Sequence, residues 1–214
     1  MSKDLNPEKA LIFRITHRDN IPWILDHGLH CPSSKTLDPN YVDIGNADLI
    51  GKRNVHPVPQ SPGGTLSDYV PFYFTPLSIM LFNVKTGWGG VRKRENQEIV
   101  MMVTSLHTLK RRGLSFLFTD RHAYLATAEF FSDLLRLDQI DWPRLQQRDF
   151  KADPEDPSKK ERYQAEALVH KHLPVDALAG FVCYNDPAAA AINKALAKRN
   201  MTAKVVKKPD WYFQ

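Results

Sequence analysis

Only two cysteines occur in this chain of 214 residues, Cys31 and Cys183. They form neither a CxxC pair nor a disulfide framework, so the chain reads as a reduced, cytoplasmic protein. No apolar run approaches the length of a membrane span. The N-terminal MSKDLNPEKA lacks the apolar core of a signal peptide, so neither membrane insertion nor secretion is expected. No GxGxxG follows a strand, and there is no P-loop and no GxSxG elbow, which removes the common dinucleotide, nucleoside-triphosphate and α/β-hydrolase motifs. The eight histidines show no HExxH and no His/Cys zinc spacing. His27 and His30 near Cys31 are better read as surface and cap residues, so no metal is expected. Internal repeats and low-complexity segments are also missing.

What is present is ordinary for a globular protein: 43% apolar and 25% charged residues, enough to bury a core without staples. The length fits a single domain, residues 1–214. Twenty-nine Lys and Arg face twenty-four Asp and Glu, for a net charge of +5. The cations cluster at 92–94, 110–112, 159–162 and 204–208, and acid concentrates between Asp133 and Asp141. One basic and one acidic side favour a polyanionic partner.

Strand patterns recur at Leu11–Thr16, Tyr69–Thr75, Glu98–Thr104, Ser115–Thr119, Ala165–Val169, Ala179–Tyr184 and Ala203–Lys207. Pro71 pushes the second of these toward a sheet edge or a strand start. Helix patterns fall between them. Asn20 is expected to cap Ile21–His27, with Gly28 as the stop. Ser78–Val84, a turn from Ser105 to Arg112, an amphipathic Ala123–Leu135 and Ala188–Arg199 follow. Long irregular stretches interrupt the pattern at residues 31–67, 87–96 and 138–161, and loops of that length are usually functional or disordered. The whole reads as a mixed α/β domain whose loops line a cleft.

Three features carry potential chemistry. The strand end Arg14-Ile15-Thr16-His17 leads into a helix N-terminus, where free amides suit an anionic ligand. Arg53 lies in a loop rich in Gly and Pro, and its fork of donors suits a phosphate or planar group. Glu166 stands where a charged, proline-broken loop enters a strand. Period-two alternation sends Glu166, Leu168 and His170 to one face, with Gln164 and Arg162 in phase. Glu166 is expected to be an exposed carboxylate at a strand edge, contributing little to stability.

The blocks RITHRDNIPWILDHGL, IGKRN with HPVP, GGTLSDYVPFYFTP, LFTDRHAY, RYQAEALVH and the terminal DWYF occur in this order. In that combination the chain resembles the DarT-type DNA ADP-ribosyltransferase toxins, from about Leu11 to Phe213. The resemblance implies an ADP-ribosyltransferase-like split mixed β-sheet with flanking helices and long cleft-lining loops (an α+β arrangement). It implies a toxin that takes NAD, releases nicotinamide and attaches ADP-ribose to a base, typically thymidine, in single-stranded DNA. Replication is blocked, and a macrodomain antitoxin reverses the lesion.

By the same resemblance Glu166 is the catalytic glutamate and Arg53 the catalytic arginine. Arg14, Ile15, Thr16 and Trp23 contact NAD. Leu77, Ser78, Met80, Phe82, Asp149, Phe150, Lys151, Ala152, Lys160, Arg162, Tyr163 and Gln164 contact DNA. Residues near Lys35–Asn54 resemble an NAD-covering element, and Phe118–Glu166 a substrate-recognition region. Some members carry histidine where this chain has Arg14, which makes a backbone contact the safer reading there. A guanidinium with a pKa above about 12 is a poor base, so Arg53 is read first as a clamp. Phe150 and Tyr163 are the expected base-stacking rings, with Phe72 to Phe74 mostly core. Lys151, Lys159, Lys160 and Arg162 are the expected phosphate holders. The competing readings are transfer to RNA or protein, or a non-catalytic nucleic-acid-binding module.

Overall fold

The alternating LIFRITH forms β1 (Leu11–His17), with Ile12, Phe13 and Ile15 buried. The computed structural model describes residues 2–214. After β1 come α1 (Ile21–His27), β2 (Leu29–His30), α2 (Ala47–Arg53), β3 (Tyr69–Tyr73), α3 (Ile79–Thr86), β4 (Ile99–Ser105), α4 (Leu106–Arg111) and β5 (Phe116–Thr119). They are followed by β6 (Phe130–Phe131), α5 (Trp142–Gln147), α6 (Lys159–Arg162), β7 (Glu166–His170), β8 (His172–Leu173), β9 (Gly180–Cys183), α7 (Asp186–Ala197) and β10 (Val205–Lys207). One eight-stranded sheet has the order β10-β9-β4-β1-β3-β7-β5-β6, and β2 pairs with β8 separately. The β10–β9 pair is parallel and the other ladders are antiparallel, so the sheet is mixed.

The sheet is split in its middle. β1 pairs with β4 along its whole length, from Leu11 opposite Ser105 to His17 opposite Ile99. With β3 it meets at Phe13 opposite Tyr73 alone. Pro71 lies at this seam. It does not mark an edge strand as expected, because β3 is interior, between β1 and β7. A proline has no N–H to give a neighbour. Here the carbonyl of Pro71 instead accepts from Arg14 Nη1 at 2.9 Å, a side chain standing in for a ladder bond.

Most helix ends follow local chemistry. Ser78, Ser105 and Asn185 accept amide bonds from Leu81, Thr108 and Ala188 and so start α3, α4 and α7. On α7, Ala188, Ile192 and Leu196 fall one turn apart on the buried stripe. Asn20 departs from expectation. Its backbone is already helical and its side chain makes no cap. It bonds Thr16 Oγ1 at 2.9 Å and both backbone groups of Val42, at 2.8 and 3.0 Å, tying the residue 32–46 loop to the end of β1.

The amphipathic helix expected over Ala123–Leu135 does not form. Phe130 and Phe131 pair with Thr119 and Phe118 as β6, and Asp120 Oδ1 accepts the Glu129 amide at 3.0 Å. These tertiary bonds outweigh a weak helical propensity. Conversely, the stretches read as irregular hold α2, α5 and α6. Asn46 and Asp141 cap the first two of these short helices. A second apolar cluster of Val58, Leu66, Tyr69, Leu117, Ala123 and Leu168 covers the far face of the β3–β7–β5 half. Among the described residues no helix is long and apolar enough to cross a membrane.

Gly180 opens β9 at φ 152°, and a Cβ there would come within 2.4 Å of the Lys204 carbonyl oxygen. Gly180→Ala must therefore push β10 away, and it is expected to cost at least about 2 kcal/mol. A denaturant midpoint equal to wild type would contradict this.

Candidate active site

Glu166 is the first residue of β7, opposite Tyr73 of β3, with β5 on the other side. It is thus on an interior strand and only 1% exposed, not the solvated strand-edge carboxylate expected. Its Oε1 accepts from Arg53 Nη1 at 3.1 Å and from the Ala123 amide at 3.0 Å. Arg53 Nη1 also lies 3.0 Å from Oε2, and the arginine side chain is 13% exposed. His122 Nδ1 is 3.8 Å from Oε1.

Two short segments deliver these partners. The Asn46 cap sets α2 at the cleft, and Arg53 is its last residue, where a cation complements the helix dipole. The turn after β5 delivers the rest. Thr119 Oγ1 accepts the Glu166 amide at 3.2 Å and donates to the Arg121 carbonyl at 2.6 Å. The His122 amide donates to the Glu161 carbonyl at 3.1 Å. The turn is thereby held between the root of β7 and the end of α6, with the Ala123 amide aimed at the carboxylate.

The electrostatics follow from burial next to charge. Burial pushes the Tyr73 phenol well above its ordinary value; the Glu166 carboxylate raises it further, and Arg53 and Arg14 oppose this. All three charges therefore act on the Tyr73 phenol. Burial holds His122 below its ordinary value, with Glu166 opposing and Arg53 and His56 adding. His56 is lowered too, by burial and then Arg53. The Tyr124 amide donates to His122 Nδ1 at 3.2 Å, which assigns the ring proton to Nε2. Three buried polar atoms at the cleft make no hydrogen bond: Arg14 Nε, Arg53 Nη2 and Glu166 Oε2.

Arg14, Arg53 and Glu166 are thus brought together from residues far apart in sequence. Ile15 and Thr16 are buried on β1, Thr16 beneath the Asn20 link to the covering loop. Trp23 projects from α1 onto the rings of His27 and His30, at 4.5 and 5.8 Å. Leu77 and Ser78 are buried. Met80 is half-buried, with its sulfur 3.8 Å from the Tyr73 hydroxyl, which joins the start of α3 to the cleft. Phe82, Phe150 and Phe213 pack edge to face, with centroids 5.5 to 5.9 Å apart.

Tyr163 is in the core, donating to the Leu77 carbonyl at 3.0 Å, and leaves no free ring face for a base. Phe72 and Phe74 are likewise fully buried. Lys159 is buried beside Asp149 at 2.5 Å and Asp153 at 3.6 Å. Arg162 is held by Asp141 at 3.0 Å and Asp156 at 2.7 Å. Both cations are spent inside the loop, whereas Lys151, Ala152 and Lys160 are exposed and Asp149 and Gln164 half-buried. Tyr73 was expected mostly in the core, and His56, His122 and the Ala123 amide were not singled out from the sequence. Their one local signal is the polar TDRHA following an apolar strand, which marks a strand-end turn but no chemistry.

A mixed sheet split at its centre, with a buried Glu–Arg pair at the seam and long loops over it, defines the class: a transferase of the ADP-ribosyltransferase type. The family described as ssDNA thymidine ADP-ribosyltransferase, DarT, matches residues 13–213, and the chain belongs to that family. A DNA ADP-ribosyl transferase of Escherichia coli O127:H6 is 53% identical over 212 residues, covering 99% of this chain and 97% of that protein. DarT of Thermus sp. 2.9 in complex with ADP-ribosylated ssDNA superposes with a TM-score of 0.89 at 34% identity, covering 97% of this chain and 98% of that one. The same Thermus protein in complex with NAD+ gives 0.85 at 33% identity, covering 97% and 99%.

Because Glu166 is buried and paired, its removal strands Arg53. Glu166→Ala is expected to cost about 3 kcal/mol of stability, read as a lower denaturant midpoint. The histidines give a separate signature. A histidine whose folded pKa lies below its unfolded value of about 6.5 leaves stability intact above that pH and removes it as pH falls through and below it. Stability should therefore drop between about pH 7 and 5, and less steeply in His122→Gln; identical slopes would show that His122 does not contribute.

Proposed function

We propose that this chain transfers ADP-ribose from NAD to thymidine in single-stranded DNA, releasing nicotinamide, with Glu166 and Arg53 as its catalytic pair. The observation that carries the reading is the buried Arg53–Glu166 ion pair, in which carboxylate Oε2 lies 3.0 Å from Arg53 Nη1 yet makes no hydrogen bond. The chain is an NAD-dependent DNA ADP-ribosyltransferase by family. The cleft residues fit such a donor substrate, since the free Oε2 suits a ribose hydroxyl and the free Nη2 and Nε of Arg53 and Arg14 suit phosphate or amide oxygens.

The reaction breaks the bond between nicotinamide and ribose and forms a bond from the same ribose carbon to a nitrogen of the thymine, whose N–H proton is released to solvent as neutral nicotinamide leaves. Positive charge builds on the ribose as the first bond lengthens. A carboxylate fixed beforehand by Arg53 and the Ala123 amide stabilises that charge without reorganising. Arg53, at the mouth of α2, clamps and orients; it has no lone pair to take a proton. Placing the base is then a matter of position. A paired thymine is out of reach, and extruding it from a duplex costs a few kcal/mol, which accounts for a single-stranded substrate.

Met80 and Phe82 on α3, with Phe150, Lys151 and Ala152 on the adjoining loop and Lys160 on α6, form the DNA side of the cleft. Arg162 and Lys159 brace that loop through the aspartates instead of meeting phosphates. The reading includes one domain over residues 1–214, a cytoplasmic toxin role and a macrodomain antitoxin that reverses the product. Family membership supports the toxin role.

Mass spectrometry of thymidine-containing oligonucleotides of permuted sequence, incubated with NAD, tests the acceptor. An ADP-ribose adduct on thymidine is expected; label confined to RNA or protein would overturn the reading. Glu166→Gln keeps the side-chain volume and should lower kcat by about 100- to 1,000-fold with little change in KM for NAD. Arg53→Ala should lower kcat/KM at least as far, and unchanged turnover would make Arg53 an ordinary helix-end residue.

A further inference from the structure

The turn that follows α3 carries the most exposed aromatic ring of the protein, Trp88, at 68% exposure. Gly87, Gly89 and Gly90 flank it at φ 79°, 69° and 75°, a left-handed backbone open to glycine and strained for other residues. The ring therefore stands on a turn with no neighbouring side chains to cover it. The cations beside it are of two kinds. Lys85 and Arg94 are paired, with Glu95 at 3.8 Å and Glu98 at 3.4 Å. Arg92 and Lys93 are exposed, and among the described residues neither has an acidic partner within 4.0 Å. They stay close to the ring's turn, since the Arg94 amide donates to the Val84 carbonyl at 2.9 Å and a Cβ on Gly87 would lie 3.7 Å from Lys93 Cβ.

This surface is continuous with the cleft in two ways. α3 starts at the cleft with Met80 and ends at the turn, and its eight residues span about 12 Å. The turn also touches the helix that carries Arg53. Asn46 Oδ1 caps α2 by accepting the Leu49 amide at 2.9 Å, while its Nδ2 donates to the Gly89 carbonyl, also at 2.9 Å. One side chain fixes both the start of α2 and the position of the tryptophan turn.

We infer that Trp88, Arg92 and Lys93 form a second contact for the single-stranded DNA, away from the modified thymidine. The ring stacks on a base and the two cations hold neighbouring phosphates. The inference rests on the DNA reading above and extends it along the strand. An uncovered indole beside unpaired cations suits a sequence-tolerant nucleic-acid contact, because every base has a π-face and every linkage a charge. The glycines around the ring offer no apolar patch for a folded protein partner.

The test compares thymidine transfer to oligonucleotides of about five and about fifteen nucleotides, lengths that bracket common single-strand footprints. Trp88→Ala is expected to raise KM for the longer oligonucleotide by about 5- to 100-fold with kcat retained, and to leave the shorter one unchanged. Trp88→Tyr should restore most of the loss. Arg92→Ala with Lys93→Ala should reduce the salt slope for the longer oligonucleotide by about 1.4. Equal behaviour of Trp88→Ala and wild type on both lengths would overturn the second contact while thymidine modification stands. An equal loss on both lengths would also overturn it, as a local structural effect. Failure of the wild type to label either oligonucleotide would instead bring down the DNA reading itself.

Discussion

The ion pair between Arg53 and Glu166 is the constraint around which the rest of the molecule is arranged. Its members lie 113 residues apart and are almost wholly removed from water. Neither charge is tolerable alone in that position, because an unpaired buried ion costs several kcal/mol. The Ala123 amide shares the load at Oε1. Oε2 stays within 3.0 Å of Arg53 Nη1 but accepts no hydrogen bond, so what stabilises the carboxylate does not exhaust it. A buried carboxylate with a spare oxygen is a poor choice for stability and a good one for meeting a substrate that develops positive charge.

Beside this pair the sheet carries a local defect. Along β3 the N–H missing at Pro71 is one bond β1 cannot make, and the two strands touch at Phe13 and Tyr73 alone. Arg14 bridges to the Pro71 carbonyl, keeping the halves together. Tyr73 and Glu166, directly paired, sit at this seam. Glu166 is therefore carried by an interior strand and Arg53 by the end of α2, and the loop over β1 is tied down where Asn20 bonds Val42.

Net charge says less about the partner than its placement does. The chain is basic by five charges. Yet Arg144, Lys159 and Arg162 are spent on Asp141, Asp149, Asp153 and Asp156 within one loop. That network gives shape to a segment with little apolar residue content of its own. The exposed cations left for a polyanion include Lys151 and Lys160 on the 149–162 segment, and Arg92 and Lys93 at the tryptophan turn.

By itself the sequence determined the main strands, since the period-two alternation of LIFRIT and the continuous apolar run of EIVMMVT need no partner to be read. It determined the ends of α3, α4 and α7, where Ser78, Ser105 and Asn185 or the glycines act within a few residues. The ordered family blocks also made the class of chemistry legible and pointed to Glu166 and Arg53, which the fold brings into contact. Tertiary structure alone decided that Glu166 is buried, that Pro71 is central, that Phe130 and Phe131 form a strand, and that Asn20 ties down a loop. It also decided which lysines and arginines stay free, and it brought His122 and the Ala123 amide to the carboxylate. Each of these depends on a neighbour distant in the chain. Local propensities, worth a few tenths of a kcal/mol per residue, are outvoted by such contacts, and nothing in a linear reading reports them.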